Sequence, residues 1–245
     1  MNTKTIVITG GTTGIGFTCA SYLLAQNYRV IITGKNPDNV KNALEQLNHQ
    51  AVGYVSDTSK LSDINALVNT IKTTFGAIDG IFINAGIFKA ASFEATTEEL
   101  FDQTMNINFK GAFFTLQQFI PILNNPSSVV LNTSVAVFKA FADTSVYTAS
   151  KAALESIAQV LNIELANKGI RVNMVSPGVT KTPIQKKSGM SDEAITNLLN
   201  HFSEVSPLKR IVEPQDIAPI AEFLLSEKSI PLRNEKMIVD GGSTL

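Results

Sequence analysis

The stretch TIVITGGTTGIG, Thr5 to Gly16, decides how the rest of the chain is read. Thr5–Thr9 is a short β-branched run of the kind that fills a buried strand. It ends in three spaced glycines, Gly10, Gly14 and Gly16, and then passes into a segment of helical period, Ile15–Gln26. Glycines at such a strand-to-helix turn permit tight backbone geometry. They also expose the unpaired N–H groups of a helix N-terminus, which together with the helix dipole suit a pyrophosphate. The order is G-x-x-x-G-x-G rather than G-x-G-x-x-G, and Cys19 stands where the last glycine of the latter would fall. Taken alone, such a cluster also serves an ordinary turn.

Working outward, apolar runs alternate with helical stretches. Strands are predicted at Arg29–Thr33, Ala51–Val55, Gly80–Ile83, Ser128–Asn132, Arg171–Val175 and Met237–Val239. Helices are predicted near Asp38–Leu47, Leu61–Phe75, Thr97–Met105, Phe109–Leu123, Tyr147–Asn167 and Glu213–Leu225. Parallel neighbours need crossover connections, so this alternation predicts an α/β fold with a seven-stranded parallel sheet and helices on both faces. No repeat or linker divides residues 1–245, which read as one domain. The irregular stretch Thr180 to about Arg210 is expected to be a helical lid, with a ligand-free surface loop as the plainer alternative.

Composition narrows the function. The chain has 245 residues, 44% hydrophobic and 17% charged, with 20 Lys+Arg against 21 Asp+Glu. That balance argues against disorder and against a nucleic-acid partner. No apolar run reaches the length of a membrane span, and the opening MNTKTIVITGG lacks a signal-peptide pattern, so a cytoplasmic protein is expected. The single Cys19 rules out an internal disulfide, and His49 and His201 lack metal-ligand spacing, so no metal site is expected.

Several residues carry chemistry in SVYTASKAALESIAQVLNIEL, Ser145 to Leu165. Tyr147 and Lys151, four apart on one helix, share a face. An ammonium beside a phenol favours the phenolate, which is a way to tune a general acid/base. Ser134 falls at the carboxyl end of the fifth strand, the edge where open α/β sheets bind ligands. Asn108 sits inside a predicted helix start, where asparagine is a poor helix former. At the end of the second strand, Gly34 replaces the acidic residue that would accept a ribose 2′-OH, and Lys35 follows; this favours NADP over NAD. Asp57 reads as a turn or cap residue, and Asn84–Gly86 as a small-residue turn.

In order and spacing these residues resemble the short-chain dehydrogenase/reductase family across essentially the whole chain. The matching features are T-G-x-x-x-G-I-G at Thr9–Gly16, Asp57, N-A-G at Asn84–Gly86, Asn108 in N-x-x-G, Ser134, Y-x-x-x-K at Tyr147–Lys151, SPGVTKT at Ser176–Thr182 and VDGG at Val239–Gly242. Thirteen positions separate Ser134 from Tyr147, as in the family's tetrad. Asn132-Thr133-Ser134 departs from the family's frequent paired serines, and Ile83 precedes N-A-G where many members carry asparagine.

The resemblance implies a Rossmann-like, doubly wound sheet and an oxidoreductase that interconverts a carbonyl and a secondary alcohol. Tyr147 would exchange the proton, Lys151 would lower its pKa and hold the nicotinamide ribose, Ser134 would position the substrate oxygen and Asn108 would support a water relay. The implied cofactor contacts are Gly10, Thr12, Thr13, Gly14, Ile15, Gly16, Gly34, Lys35, Asp57, Thr58, Asn84, Ala85, Gly86, Tyr147, Lys151, Pro177, Gly178, Val179 and Thr182. NADP(H) is the expected cofactor, and members with a similar Gly-Lys pair include users of NAD(H) as well. A small-molecule carbonyl/alcohol substrate and a homotetramer are further implications, the latter through helix faces carrying Phe113, Leu116 and Phe119, and Ala152, Ile157 and Leu161. From the residues themselves, Ile184, Met190, Ile195, Leu198, Leu199 and Phe202, with Phe88, Phe93 and Phe138, read as apolar walls of a pocket or equally as helix packing. The alternative is a catalytically silent nucleotide-binding protein of the same fold.

Overall fold

The computed structural model describes residues 3–245. Seven strands run β1 Thr5–Ile8, β2 Arg29–Gly34, β3 Val52–Val55, β4 Ile78–Ile83, β5 Leu123–Asn132, β6 Ile170–Pro177 and β7 Lys236–Val239. They form one sheet of order β3-β2-β1-β4-β5-β6-β7, parallel at every pairing. The strand order reverses between β1 and β4, which opens a crevice at their carboxyl ends.

Strand side chains alternate between two cores because successive residues face opposite sides of the pleat. Val7, Ile81, Val129 and Val172 join one cluster, which packs on α3 Leu61–Phe75, α5 Ala112–Phe119 and α6 Ser145–Glu164. Ile6, Phe82 and Val130 join the other, against α1 Gly14–Ala25, α2 Pro37–Gln46 and α9 Pro214–Leu225. Helix starts follow local chemistry. Asn36 caps α2 by accepting from Asn39 N at 2.9 Å, with Pro37 at the first helical position. Glu213 and Asp216 form a capping box on α9.

The structure refines the expected elements at three places. α4 Glu98–Met105 and α5 are not separate helices: a wide π-helical turn, Asn106–Gly111, joins them. β5 starts at Leu123, five residues before the predicted strand, because its first part pairs with Ile78 before the register shifts. Leu116 and Phe119 lie inside the core rather than on an outer face, whereas Phe113, Val160 and Ile163 are exposed. Between β6 and α9 stand the short α7 Ile184–Lys187 and α8 Asp192–Val205. α8 is capped by Ser191, which accepts from Ala194 N, and none of its residues is fully buried. No helix among the described residues is long and apolar enough to cross a membrane.

Candidate active site

The glycine turn is held by neighbours rather than by its own bonds. Thr9 Oγ1 accepts from the N–H groups of Asn84 and Ala85 at 2.9 and 3.0 Å. Asn84 Nδ2 donates to the carbonyls of Thr9 and Gly10 at 3.0 and 3.1 Å, and its Oδ1 accepts from Asn132 Nδ2 at 2.9 Å. Asn84, expected along a cofactor cleft, is therefore a strut that ties the ends of β1, β4 and β5 together. Thr9 and Asn132 complete that strut, and sequence reasoning gave them no such role. Gly10 and Gly14 have positive φ, 63° and 56°, where L side chains are strained. A Cβ on Gly16 would collide with Gly10 O and Asn84 Nδ2. Thr13, the N-cap of α1, makes no side-chain cap bond.

Around this turn the other predicted contacts fall at the same sheet edge. A Cβ on Gly34 would stand 2.7 Å from Thr12 Cγ2, which brings the end of β2 against the loop. Lys35 is exposed beside it. Asp57 Oδ1 accepts from Ser59 N and Oγ at 3.0 and 2.8 Å. Burial raises the Asp57 pKa, but these bonds and the ammonium groups of Lys35 and Lys60 outweigh it and hold the carboxyl below its ordinary range. The carbonyl oxygen of Thr58 rests against Gly111 of the π-helical turn, so closely that a Cβ there would collide. Beyond β6, Gly178 N donates to Val239 O at 2.9 Å. Gln185 was missed by sequence reasoning; it is buried, donates to Thr180 O at 2.8 Å and accepts from Thr182 N at 3.3 Å, fixing the loop that holds Val179 and Thr182.

The four tetrad positions converge between the ends of β4 and β5 and the start of α6. Asn108 is fully buried in the π-helical turn, where its Oδ1 accepts from Ile87 N at 2.8 Å. Its Nδ2 donates to Ile87 O at 3.0 Å and to Ser150 Oγ at 3.1 Å. Ser150 Oγ in turn donates to Tyr147 O at 2.7 Å. Ser150 thus links Asn108 to the first turn of α6, and no motif flagged it. Lys151 is 5% exposed; its Nζ donates to Asn132 O at 2.7 Å and lies 5.9 Å from the Tyr147 ring centroid. Phe88 packs edge-on against the same ring at 5.0 Å. Ser134 caps a short 3-10 turn through Ala136 N at 3.2 Å and neighbours the phenol.

The electrostatics differ from the expectation that Lys151 makes the phenol more acidic. Desolvation raises the Tyr147 pKa, and the Ser134 hydroxyl, acting the other way, does not cancel it. Lys151 itself is pushed down from 10.5 to about 8 by burial. Low polarity disfavours both charges, and the ammonium spends its short contact on Asn132 O instead of on the phenol oxygen.

Residues 10–244 match the family model described as enoyl-(acyl carrier protein) reductase. The chain belongs to the short-chain dehydrogenase/reductase family. It is an oxidoreductase of that family, whose enzymes use NAD(P) and act on small molecules. Dehydrogenase/reductase SDR family member 4 of Homo sapiens is 32% identical over 246 residues, covering 98% of this chain and 87% of its own. The uncharacterized oxidoreductase YxbG of Bacillus subtilis (strain 168) is 31% identical, covering 99% of this chain and 91% of its own. A Brucella melitensis crystal structure titled short-chain dehydrogenase/reductase SDR:glucose/ribitol dehydrogenase superposes with a TM-score of 0.92 at 29% identity, covering 99% of this chain and 97% of that one. The seven-stranded Rossmann-like sheet is thus common to the family member and its solved relative.

A dinucleotide suits the residues at this edge. The turn from Gly10 to Gly16 has glycines where a Cβ would collide or the backbone φ is positive, and it leads into the N-terminus of α1, whose Thr13 hydroxyl caps none of the helix N–H groups.

Proposed function

We propose that this protein is an NADP(H)-preferring oxidoreductase that interconverts a carbonyl and a secondary alcohol, with Tyr147 as the acid/base. The observation that carries the reading is the linked set Asn108–Ser150–Tyr147, with Lys151 and Ser134 at its side, on the carboxyl edge of the sheet. When bound, the nicotinamide supplies or accepts the hydride. The Ser134 hydroxyl holds the substrate oxygen, and the Tyr147 hydroxyl passes its proton to that oxygen as negative charge develops on it. A phenol whose pKa is raised rests protonated at neutral pH, which suits it to donate in the direction of reduction. Lys151 anchors the same turn and holds the nicotinamide ribose, while Asn108 keeps the turn in place and supports a water relay.

Gly10, Gly14, Ile15 and Gly16 would cradle the pyrophosphate, with Thr12 and Thr13 on its adenosine-ribose side. Asp57 and Thr58 would meet the adenine; Asn84, Ala85 and Gly86 would back the ring edge; Pro177, Gly178, Val179 and Thr182 would orient the carboxamide. Gly34 and Lys35 favour NADP(H), because the end of β2 holds no carboxylate to repel a 2′-phosphate.

We read residues 1–245 as one domain in which the segment about 180–210, containing α7 and α8, covers the substrate. Phe202 of α8 packs on Phe141 at 5.9 Å, beside a cavity of about 260 Å³ lined by Phe93, Phe141 and Thr144 among others. Asp143, Ser145 and Thr148 also line it, so its walls are only partly apolar. A homotetramer is supported by Phe113, Val160 and Ile163, which remain exposed on α5 and α6. A cytoplasmic location accords with the lone cysteine.

The test is turnover of NADPH, followed at its nicotinamide absorbance, against a panel of ketones and aldehydes that also includes an enoyl thioester. Tyr147→Phe should lower the rate roughly 10²–10⁴-fold with NADPH affinity retained. Turnover equal to wild type in that variant rejects the acid/base role.

A further inference from the structure

Lys187 stands at the end of α7, 174 residues from the glycine turn, yet its Nζ donates to Thr13 Oγ1 at 3.0 Å. Thr13 is free to accept because its hydroxyl caps nothing on α1. On the other side, Thr12 lies against Gly34, where a Cβ would be 3.2 Å from Thr12 Oγ1, and Lys35 is the next residue. The Thr12-Thr13 pair is therefore contacted by the Lys187 ammonium from the covering segment and by the end of β2 that leads into Lys35.

These cations lack the partners that their neighbours have. Lys186 pairs with Asp192 at 3.3 Å, whereas neither Lys187 nor Lys35 joins an ion pair among the described residues. Burial and the nearby Lys35 both disfavour the Lys187 ammonium. The carboxylate that Lys35 does influence is Asp57, already engaged with Ser59. Two like charges within electrostatic reach of each other, neither in an ion pair among the described residues, make a receptor for an anion. A phosphate dianion would relieve their repulsion and take up their donors.

The nearness of the β2 end selects among the phosphates of a dinucleotide. Lys35 follows the strand end that meets an adenosine ribose in a doubly wound sheet. Gln185, two residues before Lys187, anchors its segment to Thr180 and Thr182, so the ammonium has a defined reach. We propose that Lys187 binds the 2′-phosphate of NADP(H) together with Lys35 and the Thr13 hydroxyl, so that the covering segment itself reads the cofactor and is drawn over the site by it. This rests on the NADP(H) reading above and adds a contact supplied by the lid.

The experiment measures NADPH and NADH dissociation constants by calorimetry at one ionic strength for wild type, Lys187→Gln and Lys187→Arg. Each variant's melting temperature is recorded to verify folding. Lys187→Gln should bind NADPH about tenfold more weakly, with NADH changed by less than about twofold, and Lys187→Arg should keep most of the NADPH affinity. Hydrogen exchange supplies a second readout: NADPH should protect residues 181–205 more than NADH does in wild type, and that difference should vanish in Lys187→Gln. Equal weakening of both dinucleotides, or none, overturns the assignment while leaving NADP(H) preference intact. A wild type that does not discriminate between the two removes the cofactor reading and this inference with it.

Discussion

Asn108 clasps Ile87 on both sides of its backbone, accepting from the N–H at 2.8 Å and donating to the carbonyl at 3.0 Å. With its remaining amide hydrogen on Ser150 Oγ, the side chain is satisfied in a fully buried position. The π-helical turn explains how this is reached: one extra residue per turn aims Asn108 inward at the loop after β4, away from the helical ladder.

Asn108→Ala leaves the Ile87 backbone groups and Ser150 without that partner. Stability to urea should fall by roughly 2 kcal/mol, and the Ile87 amide should exchange faster with solvent. Ser150→Ala removes two hydrogen bonds, from Asn108 Nδ2 and to Tyr147 O, but leaves the Ile87 clasp in place and should cost less, about 1 kcal/mol. Unchanged exchange at Ile87 in Asn108→Ala would show that the clasp is not what orders this loop.

Lys151 makes the stability depend on pH in a defined direction. Its folded pKa, about 8, lies below the ordinary 10.5, so the native state sheds this proton first. Below about pH 8 the cost of the buried ammonium is present in full. Between about 8 and 10.5 the unfolded chain holds the extra proton, and this group's contribution to stability rises with pH. Lys151→Met should therefore be more stable than wild type at pH 7, by roughly 2 kcal/mol after loss of the Asn132 contact, with the gap shrinking by pH 10. Paired urea titrations at the two pH values check this, and a gap that widens with pH contradicts it.

Gly16→Ala places a methyl group on the Gly10 carbonyl and the Asn84 amide, neither of which is a flexible chain end. The expected loss is roughly 3 kcal/mol of stability together with weakened NADPH binding, read by thermal melting and calorimetry. Wild-type stability in this variant would mean that the loop tolerates a shift the geometry forbids.

Cys19 packs in the core with 1% exposure, and burial pushes its thiol up to about 12. It should not react with iodoacetamide at pH 8 in the folded protein and should take up one label per chain after unfolding in urea. Rapid native labelling would place the thiol outside the core.

Much of the fold was readable because its cause is local. Alternating β-branched runs and helical periods specify strands and helices wherever one face must be buried, and the glycines of Thr9–Gly16 mark a turn that few other residues permit. Element ends were less readable: β5 begins at Leu123 because Ile78 pairs with it, and no periodicity in the sequence announces that partner. Tyr147 and Lys151 were legible as a pair through their spacing of four on α6.

What the pair does to its own protons was decided elsewhere. The phenol is raised and the ammonium lowered because the walls supplied by other elements exclude water, while the amine's short contact goes to Asn132 O, nineteen residues away. Asn84 became a strut, Ser150 a link and Lys187 a neighbour of Thr13 through contacts between segments distant in the chain. The order of elements and the identities of the reactive groups are written in short segments, since backbone conformation and side-chain chemistry are local properties. Hydrogen-bond partners and acidities came with the assembled fold, because solvation and charge neighbourhood are set by whatever the folded chain brings within a few ångströms.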